Sequence, residues 1–464
     1  MLRVITFVAN ASVREQTEME SLLTHLRDKG YLPVIRGMFT GVLSLAKLPE
    51  PGEQLITKVI IQTSPMYRFR RPEFSEILGD LFFANEFVYL VNPLGQDTLQ
   101  ASVIGYRKQE EALRKFCADV EDGIKSRFDG RRVRGMKFNW KIPKFRFSMY
   151  VRRRYFPFEE FFEEEESEHE EELKGTTPNY SLEDIKAAEL LVNTDIRRFM
   201  LRLAQVGKMT SKDAVELAKS DILERLLSLG LITEEYLLTC KQDQHTICVV
   251  PSKKHLTTDP MASLRCSICG RSFPEENLQV IYTLSERGKK LLDGSLWMSI
   301  WVTELLKKSG VKEECIKWGL EASGEELDIM VEDFDSRLFF ELKDREFGLG
   351  DAYPFVYRTT RYGGVSGIIA TMDKVSTDAK KFFEEETHRR EYPIRIQYLE
   401  GPKQIQEDIP KIVEQLALSQ ARRMIQPFSI RIGFDLWPIV EYWLKYKTNE
   451  TPNEEVAATA DNSG

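Results

Sequence analysis

The most constraining feature of the sequence lies in residues 324–344, where two short apolar runs are separated by a polar turn. The segment reads GEELDIMVEDFDSRLFFELKD and places Asp328 on a first predicted strand and Glu341 and Lys343 on a second. Because strand side chains alternate between two faces, Glu341 and Lys343 point to one side, whereas Phe340 and Leu342 point to the other. The pattern therefore predicts a hairpin on which two carboxylates and an amine meet on one surface.

These three groups suit the hydrolysis of a phosphodiester bond. The carboxylates of Asp328 and Glu341 are hard ligands that hold Mg²⁺ or Mn²⁺ and leave room for water and phosphate. A metal ion there neutralises charge on the scissile phosphate and acidifies a bound water. Lys343 would orient that water or stabilise the leaving charge. The alternative is structural: Glu341 and Lys343 form an exposed pair on one face, and Asp328 caps a turn.

Asp328 followed by Glu341-Leu342-Lys343 resembles the motif of the PD-(D/E)xK nuclease superfamily, the fold of many restriction enzymes, over residues 290–400. The predicted elements follow the αβββαβ order of that superfamily: a helix over 295–308, strands near 315–320, 326–332 and 337–343, a helix around 351–361, and the strand VSGIIATMD. The resemblance implies a restriction-endonuclease-like core with Mg²⁺-dependent endonuclease activity. Since such enzymes often cut duplexes as dimers, it also implies a homodimer.

The same resemblance implies supporting residues on the flanking helices. Members often carry a further acidic residue on the first helix, and Glu304 lies where that residue would fall. Arg358 and Arg361 lie three residues apart on the second helix, so they share a face and could contact phosphate. DNA is the favoured substrate, and RNA is the alternative.

Length and composition indicate a folded protein of several domains. A chain of 464 residues exceeds what one hydrophobic core usually fills, and 42% hydrophobic with 30% charged residues is typical of soluble proteins. The net charge of −8 does not by itself indicate a nucleic-acid binder, although local patches matter more than the sum. Because no run approaches the roughly 20 apolar residues of a membrane span and the start lacks a signal-peptide pattern, we expect a cytoplasmic protein without membrane contact.

Residues 1–122 alternate strand and helix signals. RVITFVA, KVIIQTS and EFVYLVNP are predicted strands, and an amphipathic helix over 15–29 ends at Gly30. Such alternation predicts a Rossmann-like parallel sheet, which would bind a small ligand at its strand ends. Residues 84–106 resemble nucleoside deoxyribosyltransferase-like domains, which implies a nucleotide ligand. Those enzymes place a nucleophilic Glu two residues before a glycine, whereas this chain has Val103 before Gly105, so a sensor or a structural domain is favoured over catalysis.

A basic and aromatic segment, residues 123–157, precedes an acidic linker over 158–180. Twelve Lys and Arg residues lie between positions 125 and 154 with aromatic residues interleaved, and the candidate phosphate contacts are Arg131, Arg132, Arg152 and Arg153. Arginine neutralises phosphate and aromatic rings stack on bases, so the segment is a plausible nucleic-acid contact; a solvated hairpin is the alternative. Ten glutamates between positions 159 and 172 predict a mobile linker.

Residues 181–292 are predicted to form three helices followed by a β-hairpin, an order that resembles winged-helix domains. The helices fall over 195–206, from Ser211 as N-cap, and over 221–229, and EYLLTC and HTICVV form the hairpin. The resemblance implies DNA binding, although winged helices also serve as protein-binding modules.

Cysteines in and after this hairpin have the spacing C-x₇-C-x₁₇-C-x₂-C and are Cys240, Cys248, Cys266 and Cys269. Two thiolates separated by two residues can reach one ion, and Gly270 lets the backbone turn beneath it, so the segment predicts structural Zn²⁺. His245 is the alternative fourth ligand if Cys248 faces the core. Reduced core cysteines are the remaining alternative.

Together these features predict a metal-dependent nuclease. A nuclease domain would span 293–447, a zinc-containing winged helix would position DNA, and the N-terminal domain would gate activity. Such an architecture resembles restriction or antiviral-defence effectors. The alternatives are a non-enzymatic DNA-binding regulator and a nucleotide-processing N-terminal domain. Residues 448–464 have few large apolar groups and are predicted to be disordered.

Overall fold

The computed structural model describes residues 2–40, 79–94, 97–143, 174–322, 325–333, 336–361, 366–389, 395–432 and 435–450. The chain forms two compact units. Unit 1 contains residues 1–149, 333–336 and 410–464, and unit 2 contains residues 150–332 and 337–409. The predicted strand KVIIQTS, Arg152, Arg153, most of the acidic linker and the tail beyond residue 450 lie outside the described residues.

The helices of the described residues are numbered in chain order. They are Gln16–Asp28 (α1), Val34–Thr40 (α2), Gln109–Arg127 (α3), Gly130–Val133 (α4), Leu182–Leu191 (α5), Thr194–Val206 (α6), Ser211–Leu217 (α7), Ser220–Ser228 (α8), Lys253–Leu256 (α9), Glu286–Leu292 (α10), Leu296–Lys308 (α11), Leu349–Arg361 (α12), Thr377–Arg389 (α13), Pro402–Ile432 (α14) and Trp437–Glu450 (α15). None of these described helices has the length and apolar character needed to cross a membrane.

Unit 1 is built on a six-stranded antiparallel sheet. Its strands are Arg3–Asn10 (β1), Leu32–Pro33 (β2), Asp80–Ala84 (β3), Phe87–Leu94 (β4), Thr98–Gly105 (β5) and Lys137–Lys141 (β6). They lie in the order β2-β3-β4-β5-β1-β6, and each pair of neighbours is antiparallel. The predicted Rossmann-like parallel sheet is therefore wrong.

Short connections explain the antiparallel pairing. Only Asn85 and Glu86 join β3 to β4, and Asn85 adopts a φ of 51° in that turn. A two-residue loop suits a hairpin, whereas parallel neighbours need a crossover of about a dozen residues. The expected ligand position depended on a row of parallel strand ends, so that argument does not apply to this sheet. Val103 is fully buried in β5.

Both faces of this sheet are covered. One face packs against α1 and α3, where Leu22 and Phe116 are buried. The other face packs against α14 and α15, and the ring of Phe83 stacks on Trp443 with centroids 4.5 Å apart. The sequence predicted a nuclease domain that extends to residue 447. In the structure, residues 410–450 instead complete the core of unit 1.

A four-stranded antiparallel sheet forms one part of unit 2. Its strands are Lys208–Thr210 (β8), Ile232–Thr239 (β9), Thr246–Val250 (β10) and Asn277–Leu284 (β11), in the order β10-β9-β11-β8. Helices α6, α7 and α8 precede β9, so the three predicted helices and the predicted hairpin are present. Thr210, and not the predicted Ser211, caps α7, because its hydroxyl accepts a hydrogen bond from the N–H of Asp213.

A six-stranded mixed sheet forms the other part of unit 2. Its strands are Lys174–Thr176 (β7), Ile316–Ala322 (β12), Glu325–Asp333 (β13), Ser336–Lys343 (β14), Ser366–Thr371 (β15) and Arg395–Glu400 (β16), in the order β16-β15-β14-β13-β12-β7. Strands β14, β15 and β16 run parallel. The elements α11, β12, β13, β14, α12 and β15 follow one another in the predicted order of one helix, three strands, one helix and one strand. Phe339, Phe355 and Phe383 form its core with α12 and α13.

Candidate functional site

Asp328, Glu341 and Lys343 converge on two neighbouring strands of the mixed sheet. Asp328 lies in β13, and Glu341 and Lys343 lie in β14. Oδ2 of Asp328 accepts a hydrogen bond of 2.6 Å from the N–H of Leu342, the residue between the other two. The ammonium of Lys343 lies 3.0 Å from Oε1 of Glu341. The alternation of side chains along β14 thus brings the amine and both carboxylates to one place.

Glu341 is buried between two cations. Lys343 pairs with Oε1, and Nη2 of Arg358 lies 3.4 Å from Oε2. Only 4% of Glu341 is exposed, so these charges interact more strongly than they would in water. Burial lowers the pKa of Lys343, but the charges of Glu341 and Asp328 outweigh burial and raise that pKa above its ordinary value. The amine is therefore positively charged at neutral pH.

Arg358 is engaged with this cluster. Its Nη2 donates to Glu341, and its Nε donates to the carbonyl of Pro354 at 3.2 Å. The guanidinium is mostly buried, so a contact with phosphate would require it to change partners. Arg361, the second predicted phosphate contact, is the last residue of α12, and its side chain lies outside the described part of the chain.

Asp351 and Arg345 were not predicted for the site. The carboxylate of Asp351 lies 3.1 Å from Arg345 and accepts a hydrogen bond from the N–H of Gly348. Its charge also raises the pKa of Lys343. A carboxylate in the first turn of α12 is favoured by the positive end of the helix, and that placement was the available signal in the sequence.

Glu304 is held by other partners. Its Oε1 accepts a hydrogen bond of 2.7 Å from the hydroxyl of Tyr180 and lies 3.0 Å from the ammonium of Lys307. Burial raises the pKa of Glu304, but these two partners outweigh burial and hold the pKa below its usual range. Among the described residues, no group of three acidic, Cys or His ligands includes Glu304, Asp328 or Glu341.

The aromatic residues of the basic segment that the structure describes pack in the core of unit 1. In β6, Phe138 and Trp140 pack against that core, while Lys137 and Lys141 are exposed. Arg132 is ion-paired with Glu18 of α1, and the side chain of Arg131 is exposed beside the α4 cap formed by Asp129. The described aromatic rings are therefore not displayed for stacking on bases.

Cys240, Cys266, Cys269 and Glu276 form a group that could hold a metal ion, because their ligand atoms all lie within 4.8 Å of one another. Cys240 directly follows β9. Cys266 and Cys269 lie in a tight turn that ends at Gly270, whose φ is 73°. The N–H of Gly270 donates to the carbonyl of Cys266 at 2.9 Å. The thiol of Cys269 donates to Oε1 of Glu276 at 2.6 Å, and the N–H of Lys241 donates to Oε2 at 2.7 Å.

The predicted ligand Cys248 is not part of this group. It lies in β10 and packs with the small core of Leu238, Val250 and Phe273, and burial raises the pKa of its thiol. The alternative ligand His245 is closer, with Nε2 3.8 Å from Sγ of Cys266. It also belongs to a second, overlapping group with Cys240 and Asp243. Glu276, seven residues after Cys269, was missed because its backbone is brought to the cluster by β11 and not by a local motif.

No family model and no curated protein matches this chain. Among solved structures, the crystal structure of protein VC1899 from Vibrio cholerae is similar at 11% identity with a TM-score of 0.28. The match covers 53% of this chain and 58% of the Vibrio cholerae chain, so it spans little more than half of that protein. A similarity of this size carries no statement about the fold or activity of this chain.

Proposed function

We propose that this chain is a divalent-metal-dependent nuclease that hydrolyses phosphodiester bonds of DNA. The observation that carries the proposal is the convergence of Asp328, Glu341 and Lys343 on β13 and β14. The order of elements around them supports a PD-(D/E)xK core. The four-stranded sheet with α6, α7 and α8 supports a winged-helix-like domain beside that core.

The donor set at this site fits a hard divalent cation, because two carboxylates lie on adjacent strands. Bound Mg²⁺ or Mn²⁺, held by Asp328 and Glu341, would supply charge neutralisation at the phosphate and an acidified water. Lys343 is charged and lies beside both carboxylates, so it can donate a hydrogen bond to a phosphate or leaving-group oxygen. Arg358 holds the second oxygen of Glu341 and fixes the orientation of that carboxylate.

The cysteine cluster supports a structural Zn²⁺ in the same proposal. Three thiolates are soft ligands that Zn²⁺ prefers, and Glu276 or His245 would supply the fourth ligand. Four protein ligands leave no open position for catalysis. The ion would tie the turn after Cys266 to the β9–β10 hairpin.

Cleavage of labelled DNA in Mg²⁺ or Mn²⁺ tests the nuclease. We expect Lys343→Ala to slow cleavage by at least about a hundredfold, because a positioned charge at the transition state is lost. Affinity for DNA should change little. Lys380→Ala is the matched control, since Lys380 pairs with Glu400 at 2.9 Å outside the site, and it should cleave normally. Wild-type rates from Lys343→Ala would contradict the proposal.

A specific observation also favours a second candidate, a non-enzymatic DNA-binding regulator. Both oxygens of Glu341 are ion-paired with protein cations, an arrangement that can stabilise a scaffold without any metal. Under this alternative the purified protein binds DNA but cuts neither DNA nor RNA in either metal. Substitution of Lys343 then changes stability alone.

A further inference from the structure

The metal-binding insert, residues 240–276 between β9 and β11, carries exposed cations. They are Lys241, Lys253, Lys254, Arg265 and Arg271. Within the described chain, the ion pair found in the insert joins His245 to Asp243 and involves none of these five. Glu276, the anion that Lys241 and Arg271 influence electrostatically, is itself buried in the metal cluster. The insert also exposes three carboxylates, those of Asp243, Asp259 and Glu275, so its exposed charges are five basic and three acidic residues.

The helices that precede the insert have the opposite balance. From Lys212 to Arg225, across α7 and α8, the exposed charges are three basic and four acidic residues. The third helix, α8, exposes Asp221 and Glu224 beside its single Arg225. Carboxylates repel phosphate, so α8 is poorly suited to enter a groove of DNA.

We propose that the metal-binding insert, and not α8, binds the sugar-phosphate backbone of duplex DNA. The choice of DNA as partner rests on the proposed nuclease function. Cations without a salt bridge can neutralise phosphates without first breaking an ion pair, and each such contact releases counterions. Arg265 is already positioned, since its Nη1 donates to the carbonyl of Gly270 in the metal-binding turn at 3.2 Å. A bound metal would hold these cations on one rigid module.

The test compares two lysine pairs in the full chain. Lys253→Gln with Lys254→Gln removes two charges from α9 of the insert, and Lys212→Gln with Lys219→Gln removes two exposed charges at α7 and α8. Fluorescence anisotropy of the zinc-loaded protein with a labelled duplex is measured from 50 to 200 mM NaCl without added Mg²⁺ or Mn²⁺, so cleavage is not required. Zinc content and thermal unfolding verify that each variant is folded.

We expect the insert pair to reduce the slope of log Kd against log salt by about 1.8, because each phosphate contact contributes about 0.9. The factor by which this variant binds DNA more weakly than the wild type should therefore fall about twelvefold as the salt rises fourfold. The α7–α8 pair should keep the wild-type slope.

Three results would overturn the inference: an equal or larger loss in the α7–α8 pair, no loss in the insert pair, or no DNA binding by the wild type. Displacement of DNA by poly-glutamate as readily as by an equal charge of duplex would indicate an acidic polypeptide partner and also overturn it. A wild type that binds through the insert but never cuts would refute the nuclease and leave the insert's role intact.

Discussion

Replacing Arg358 with methionine should destabilise the protein and increase its affinity for a divalent cation. Arg358 donates to Oε2 of Glu341 at 3.4 Å, and both side chains are mostly buried. A hydrogen bond between charged groups contributes about 1.5–3 kcal/mol, and the long distance places this one near the lower limit. Methionine fills the space with a flexible apolar side chain, and Lys343 still pairs with Glu341, so we expect a loss of about 1.5 kcal/mol in metal-free protein.

The metal affinity should change in the opposite direction. A metal ion that binds Glu341 competes with Arg358 for Oε2. Removing an interaction of about 1.5 kcal/mol that competes with the metal raises the affinity for the metal about tenfold. Isothermal titration with Mg²⁺ or Mn²⁺, on protein already loaded with zinc, gives the affinity. Urea unfolding with and without the metal gives the stability. Metal should then recover part of the stability that the substitution removes.

Arg345→Met is the control for this prediction. Arg345 also pairs with a carboxylate, that of Asp351 at 3.1 Å, but its side chain is 62% exposed. We expect a stability change below about 1 kcal/mol and a metal affinity within twofold of the wild type. An unchanged or lower metal affinity in Arg358→Met would refute the competition, and the absence of metal binding in every variant would refute the site.

Three further predictions concern the other clusters. Cys269→Ser should lose the bound zinc measured by mass spectrometry of the native protein, whereas Cys248→Ser should retain it; comparison of His245→Ala with Glu276→Gln identifies the fourth ligand, and equal zinc content in Cys269→Ser and the wild type would refute the site. Glu304 has a lowered pKa, so its contribution to stability is present above the ordinary carboxyl pKa of 4.5 and is lost as pH falls through the folded-state value. In urea unfolding, the wild type should therefore be more stable than Glu304→Gln at pH 7, and the two should have the same stability once the pH is below the folded-state pKa of Glu304. A stability difference that does not change with pH would contradict this role of the Glu304 carboxylate. Trp443→Ala should destabilise unit 1 by about 3–5 kcal/mol, because it removes a ring stacked on Phe83, and a change below 1 kcal/mol in the unfolding free energy would show that α15 contributes little.

Local sequence patterns were sufficient where the interacting residues belong to one hairpin or one turn. The alternation in β14 puts Glu341 and Lys343 on one face. Only two residues separate β13 from β14, so the position of Asp328 beside them is largely fixed. The cysteines of the tight turn were predictable for the same reason. Glu276 was not, since its place beside Cys269 depends on how β11 pairs with β9.

Strand direction in unit 1 was beyond these patterns. An apolar run such as that of β5 pairs equally well with a parallel or an antiparallel neighbour, and the choice depends on the connection. Aromatic residues between basic ones were equally ambiguous. Phe138 and Trp140 alternate with the polar residues Lys137, Asn139 and Lys141 in β6, and such alternation places one set in the core and the other in solvent.

The path of the chain bears on how the proposed nuclease must be studied. Unit 1 takes its sheet from the first part of the sequence and two covering helices from the last, so Leu90 and Ile104 share a core with Ile425 and Val440. Unit 2 is therefore inserted between two parts of one folding unit. A fragment that ends before residue 410 would keep Asp328, Glu341 and Lys343 but would expose one face of the antiparallel sheet to water. Loss of activity in such a fragment would report the exposed core of unit 1 and would carry no information about the chemistry of the site, which is why single substitutions in the full chain are the informative experiments.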